Sequence, residues 1–192
     1  MAPLPIPPNL WLLASRRSKA ASLVPRTDAR VALRHLAFRP KQANILVPMI
    51  IRPPTTESEF ESYYALRWKI LREPWNQPRG SERDEFEEES AHIAAWDGEG
   101  RIIGVGRLHH LAENRGQIRF MAVDPGARGQ GIGQAILQEL ELRAIQSGVS
   151  EIILHARENA VSFYRKNGYE VLKGSHTLFD AISHMEMRKR FD

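Results

Sequence analysis

The chain has 192 residues, 42% hydrophobic and 26% charged, enough for one domain with a proper core and too few for two large ones. It contains no cysteine, which excludes a disulfide framework, a thiolate nucleophile and any cysteine-ligated zinc or iron–sulfur site. The net charge of +4 is unevenly placed: residues 1–48 carry eight basic residues against the single acid Asp28, whereas residues 49–192 hold 19 basic and 22 acidic groups, so the basic excess says little for nucleic-acid binding by the folded part.

Residues 1–48 open "MAPLPIPPNLWLLASRRSKAAS" and show no sustained period. They read as a basic leader expected to be disordered, with an organellar transit segment or a translation start called too early as alternatives. No apolar run approaches the ~20 residues that span a bilayer. The expected location is cytoplasmic, or an organelle if the leader directs import. Residues 49–192 then form one domain. "MIIRP" reads as a strand ended by Pro53 and Pro54, and "TTESEFESYYALRWKIL" as a helix capped by Thr55 or Thr56, with Phe60, Tyr63, Tyr64, Arg67 and Leu71 at helical spacing. The loop "REPWNQPRGSERDEFEEES" follows, its acidic end expected to form a short helix. "AHIAAW", the turn "DGEG" and "RIIGVGRLHH" read as a hairpin, and "QIRFMAV" as the next strand.

A glycine-rich loop leads into a helix in which Ile132, Ile136, Leu140 and Ala144 recur every four residues, closed by Gly148. "SEIILHA" reads as a strand buried on both faces. "NAVSFYRKNG" reads as a helix capped by Asn159 and stopped by Gly168. "YEVLK" and "SHMEMRKR" close the chain as strands joined by "GSHTLFDAI". The order predicts a mixed α/β domain with a hairpin-rich first half and a βαβ-type second half.

The loop "RGQGIG", Arg128 to Gly133, joins a strand to the first turn of a helix, where N–H groups lack intrahelical partners and the helix dipole is positive. Alternate glycines let an anion reach those amides, and Arg128 adds a full charge, so an anion site is favoured over a simple tight turn. Gln134 stands where a dinucleotide fingerprint needs its third glycine, and there is no Gly-Lys-Ser/Thr of a nucleotide-triphosphate loop.

"VDPGARGQGIGQAIL" resembles the acyl-CoA-binding motif of the GNAT N-acetyltransferases, Arg/Gln-x-x-Gly-x-Gly/Ala, and "ARENAVSFYRKNGYEV" resembles that family's second signature. The resemblance runs from about Ile50 to Arg190 and is nearest in layout to the small bacterial ElaA-like acetyltransferases. It implies a mixed, mostly antiparallel sheet with flanking helices and a splayed central strand pair. It also implies an N-acetyltransferase that uses acetyl-CoA as acyl donor and transfers directly to an amine in a ternary complex, without a metal. The implied acceptor is a small molecule or a peptide, and a homodimer is an open alternative; nucleic acid and membrane are not expected.

By resemblance, the amides of Arg128, Gly129, Gln130, Gly131, Ile132 and Gly133 would hold the pyrophosphate. Met121, Ala122 and Val123 would pair with the pantetheine arm and polarise the thioester carbonyl. Asn159 matches the asparagine that touches the pantetheine, and Tyr164 the tyrosine that protonates the departing thiolate, with Phe163 turned to the core. Gln117 occupies the strand position where histone-modifying members carry a glutamate, and with Arg119 the pair where arylalkylamine-modifying members carry histidines. Neither side chain accepts a proton. His155 and His184 are the substitute bases, because imidazole titrates in the right range; His109 and His110 rank below them. On the acceptor side, Trp75 either shapes a pocket or anchors its loop. The acids Glu82, Asp84, Glu85, Glu87, Glu88 and Glu89 attract a cation or form a solvated helix face, and Arg119 is an alternative carboxylate binder. A non-catalytic acyl-CoA-binding sensor is the competing function.

Overall fold

The computed structural model describes residues 49–179 and 181–191; the reading of residues 1–48 as a basic leader lies outside them. The described residues form β1 (Ile50–Arg52), α1 (Glu57–Leu71), β2 (Ala91–Trp96), β3 (Ile102–His110), β4 (Arg115–Val123), α2 (Ile132–Gln146), β5 (Glu151–Arg157), α3 (Val161–Lys166), β6 (Glu170–Leu178) and β7 (Ile182–Arg190). The strands make one sheet in the order β1-β2-β3-β4-β5-β7-β6, antiparallel except for the β4–β5 pair.

Local chemistry explains most boundaries. Thr56 caps α1 by accepting the Glu59 N–H at 3.2 Å, and Gly168 ends the α3 turn at φ 88°. Ile132, Ile136, Leu137, Leu140 and Ala144 of α2 are buried against Ile93, Leu108, Ile118, Ile152 and Leu154 on one face of the sheet. Burying each such aliphatic side chain contributes about 1.5–3 kcal/mol. On the other face α1 sets Tyr63 and Leu66 against Ala94, Val105 and Ala122, and the Tyr63 hydroxyl donates to the Gly106 carbonyl at 2.8 Å.

Four expectations are corrected. The acidic segment is not helical: residues 84–90 form turns, and the short helix of that loop is a 3-10 turn at Glu73–Trp75. β5 alternates, with Ile152, Leu154 and Ala156 in the core and Ile153, His155 and Arg157 half-buried on the opposite face. β6 continues through Gly174 to Leu178, because two register breaks against β7 absorb residues that read as a connector. Asn159 lies inside a 3-10 turn, and α3 is capped by Ala160 without a side-chain bond.

Two features open the sheet. The β3–β4 register breaks between Val105 and Arg107, so that Phe120 and Met121 both stand opposite Gly106. Phe120 takes φ 56°, a left-handed conformation that costs a side-chain-bearing residue about 1–2 kcal/mol. The extra residue inverts the side-chain alternation. Ile118 faces α2 before the bulge; after it, Met121 and Val123 face α2, while Ala122 faces α1. Beyond the bulge the β4–β5 pairing is gone: it ends at Ile118 opposite Leu154, although β4 continues to Val123 and β5 to Arg157. One edge of residues 119–123 is thereby left open.

Candidate active site

A cavity of about 720 Å³ fills the gap where β4 and β5 part. Its walls come from both faces of the sheet: Gly133, Ala156, Phe163 and Tyr164 on the α2 side, and Leu71, Arg72, Gln117, Arg119, His155, Arg157 and His184 on the α1 side. The gap therefore brings side chains from both faces of the sheet to one cavity.

On the α2 side the glycine loop meets the helix N-terminus. Gly129 and Gly131 take φ 78° and 79°, and a Cβ on either would project into open space. Gly131 occupies the α2 cap position and supplies no side-chain bond, so the first helical N–H groups have no side-chain cap. Arg128 is exposed, its Nε 3.4 Å from the Val123 carbonyl. Arg128, Gly133, Met121, Ala122, Val123 and Asn159 line the cavity; Ile132 instead buries its side chain in the core.

Tyr164 and Phe163 both line the cavity, but Tyr164 is the buried one of the pair, a correction to the orientation expected from the helix turn. Its hydroxyl has one partner among the described residues, Met121 Sδ at 3.5 Å. Burial pushes the phenol well above its ordinary range, so it stays protonated at working pH. Trp75 is not part of the cavity wall; it stacks on Phe179, with ring centroids 6.4 Å apart.

On the α1 side an arginine–carboxylate network replaces the expected acidic face. Arg67 and Arg107 are fully buried. Arg107 bonds Asp84 through both terminal nitrogens and Glu87 at 2.6 Å, Arg67 bonds both Glu87 oxygens, and Arg119 reaches Asp84 at 2.9 Å. The Phe120 ring lies under Arg67, Arg107 and Arg119, with its centroid 3.6, 4.9 and 4.9 Å from the guanidinium carbons. Burial pushes the Asp84 and Glu87 carboxyls up, but the arginine bonds and charges outweigh it and hold both below the usual carboxylate range. These two acids are occupied and offer nothing to a cationic acceptor.

The histidines cluster. His155, His176 and His184 all line the cavity; His176 stacks on His184 at 4.8 Å between centroids and lies 5.3 Å from His155. Ser175 Oγ sits 2.7 Å from His155 Nδ1 and 3.0 Å from His176 Nδ1. His184 Nδ1 donates to the Ile182 carbonyl at 2.9 Å, which leaves Nε2 as its acceptor. Burial and the neighbouring His176 lower the pKa of both His155 and His184. His109 is buried under Phe86, with rings 4.8 Å apart, and is not at the cavity. Among the described residues no group of three or more His, Asp or Glu is placed to hold a metal ion, and no helix is long and apolar enough to cross a membrane.

Residues 73–191 match the model of the acetyltransferase (GNAT) domain. The chain belongs to the GNAT acetyltransferase family. It is 35% identical over 133 residues to the uncharacterized N-acetyltransferase YjcF of Bacillus subtilis, covering 69% of this chain and 94% of that one. PaiA N-acetyltransferase from Thermoplasma acidophilum, solved in complex with coenzyme A, superposes with a TM-score of 0.60 at 20% identity, over 75% of this chain and 99% of that one. Escherichia coli ElaA superposes at 0.61 with 14% identity, over 74% of this chain and 99% of that one. The mixed α/β sheet with a splayed central pair is thus the GNAT fold, and the protein is an acyltransferase of that family.

Within this GNAT domain, sequence reasoning missed His176, Ser175, Arg72, Arg157 and Phe120. His176 and Ser175 were hidden in the segment read as a connector. Arg157 was legible in principle: it shares the period-two face of His155.

Proposed function

We propose that the protein transfers an acetyl group from acetyl-CoA to an amine acceptor by direct transfer in a ternary complex. The observation that carries this reading is the cavity through the sheet, with an uncapped helix N-terminus on one face and half-buried His155 on the other. Acetyl-CoA, when bound, supplies the acetyl thioester. The amides from Arg128 to Gly133 hold its pyrophosphate, Asn159 contacts the pantetheine, and the open edge of Met121–Val123 pairs with that arm and polarises the carbonyl. His155 Nε2 takes the proton of the attacking amine as the N–C bond forms. Its Nδ1–H passes a proton to Ser175 Oγ, whose own proton goes to exposed His176. As the C–S bond breaks, Tyr164 gives its proton to the leaving sulfur, and the resulting phenolate regains a proton from solvent before the next turnover.

Isothermal calorimetry of the full chain with acetyl-CoA, with NADPH and ATP as controls, tests the donor. Selective binding followed by amine-dependent CoA release supports the enzyme, whereas selective binding with no release favours the sensor. Gly131→Val is expected to weaken acetyl-CoA binding about tenfold or more, because a β-branched side chain at φ 79° strains the loop and crowds its amides; the same strain lowers Tm by several degrees, so affinity is read on protein shown to be folded by circular dichroism. Undiminished affinity would remove the loop from the donor site.

The pH profile tests the base. A general base acts only when deprotonated, so turnover falls as pH drops through the pKa of His155, which burial and His176 hold below the ordinary value. His155→Gln is expected to lower turnover at pH 7 roughly 100-fold and to abolish that acid limb. An unchanged limb in His155→Gln, with loss in His184→Gln, moves the role to His184.

A further inference from the structure

Arg72 and Arg157 take no carboxylate of the arginine network on the α1 face, although Arg72 shares its Phe120 ring, 5.6 Å from the centroid. Both are half-buried and both line the cavity. Their guanidinium groups converge on one backbone atom: the Leu71 carbonyl, at the C-terminus of α1, accepts Arg72 Nη1 at 3.2 Å and Arg157 Nη2 at 3.5 Å. Arg72 Nε donates to the Ser81 carbonyl at 2.8 Å. Among the described residues neither guanidinium has a carboxylate within 4.0 Å, and their unbonded N–H groups stay accessible. Glu73 and Glu158, the sequence neighbours of the two arginines, are exposed and, among the described residues, make no ion pair with them, and the inward-facing acids of the 73–90 loop are engaged elsewhere. Asp84 and Glu87 serve Arg67, Arg107 and Arg119, while Glu82 accepts the Gly80 N–H at 2.8 Å and lies 3.6 Å from Arg83.

Two cations held side by side in a cleft, with no carboxylate partner among the described residues, repel each other. The C-terminus of α1 offsets about half a charge of the two, and their mutual repulsion remains. An oxyanion entering from the α1 face satisfies both forks at once, a geometry that guanidinium groups favour. His155 projects from the same face two residues before Arg157.

We infer that Arg72 and Arg157 form the subsite for an anionic group on the acceptor, so that the substrate is a small amine bearing a carboxylate or phosphate. This rests on the transfer reading above and names its substrate class. The anion docks against the end of α1 and delivers the amine to His155, while the donor occupies the α2 face. Asp84 and Glu87, already neutralised, do not repel it.

CoA release by the full chain, measured with matched acceptors, tests the inference. The panel comprises free amino acids and their amides, phosphoethanolamine, neutral amines, diamines and a lysine peptide with capped ends. Release confined to anionic amines is expected, with amino acids against phosphoethanolamine deciding which oxyanion is used. Arg72→Gln and Arg157→Gln should each raise the acceptor KM about tenfold to a hundredfold and leave acetyl-CoA affinity within about twofold. Equal release with amides, neutral amines or the peptide overturns the anionic subsite and leaves the transfer reading intact. Acetyl-CoA binding without release from any amine overturns the transfer reading and the subsite with it. Loss of acetyl-CoA affinity in the arginine variants assigns the two residues to the donor and overturns the subsite.

Discussion

Arg107→Ala is expected to destabilise the domain by about 3–5 kcal/mol, the usual cost of removing one partner from a buried ion pair. For a domain of this size that lowers Tm by roughly 10 °C or more, measurable by calorimetry or circular dichroism. Arg107 is fully buried and bonds two carboxylates from one loop, Asp84 and Glu87, while its ring partner Phe120 sits on the bulge. Without it, Asp84 keeps Arg119 and the Phe86 N–H, Glu87 keeps Arg67, and two close acids lose the cation between them. Adding Asp84→Ala to Arg107→Ala is expected to recover part of the loss, because the stranded charge goes with its partner. A shift of only a couple of degrees in Arg107→Ala would mean that the network does not hold the 73–90 loop on the α1 face. The same network bears on function, since that loop supplies Ser81, which anchors Arg72 at the cavity.

The parts of the molecule legible in sequence are those whose cause is local. The four-residue recurrence of Ile132, Ile136, Leu140 and Ala144 needs only one helix face and one sheet, and all four are buried. The glycine loop announces itself because φ values near +80° at Gly129 and Gly131 exclude most other residues. The acidic segment shows the opposite case. Six acids in eight residues read as solvated, yet Asp84 and Glu87 turn inward because Arg107 and Arg67 lie 23 and 20 residues away in sequence and next to them in space. A trace of this was present. Arg67 follows Tyr63 by four residues on the buried stripe of α1, and Arg107 sits within an otherwise apolar run of β3; a charge at such positions requires a partner. The bulge had no comparable trace, because its left-handed residue is a phenylalanine and not a glycine. It fixes which residues of β4 line the cavity, so the α1-side wall was the least legible part of the site.

Tyr164→Phe is expected to lower kcat by about 10²–10⁴-fold, the range ascribed to a positioned acid, while acetyl-CoA affinity stays close to that of the wild type. The size of the effect follows from what the hydroxyl does and does not touch. Its one protein partner is the Met121 thioether at 3.5 Å, a weak acceptor, so removing it leaves no strong bond broken in the resting protein. The ring keeps its edge-to-face packing on Phe163 and Tyr169, with centroids at 5.0 and 5.7 Å, and the variant should melt within a few degrees of the wild type. A structural role would therefore change stability or donor affinity; a proton-donating role changes turnover alone. Burial raises the phenol's pKa, so the proton is on the oxygen across the working range; the same burial makes the phenol a weak acid, which gives up that proton only as charge develops on the sulfur. Without that proton the sulfur must leave as a bare thiolate inside a half-buried cleft, where charge is poorly solvated. Wild-type turnover in a folded Tyr164→Phe enzyme would place the leaving-group proton elsewhere, whereas a selective fall in kcat assigns it to this hydroxyl.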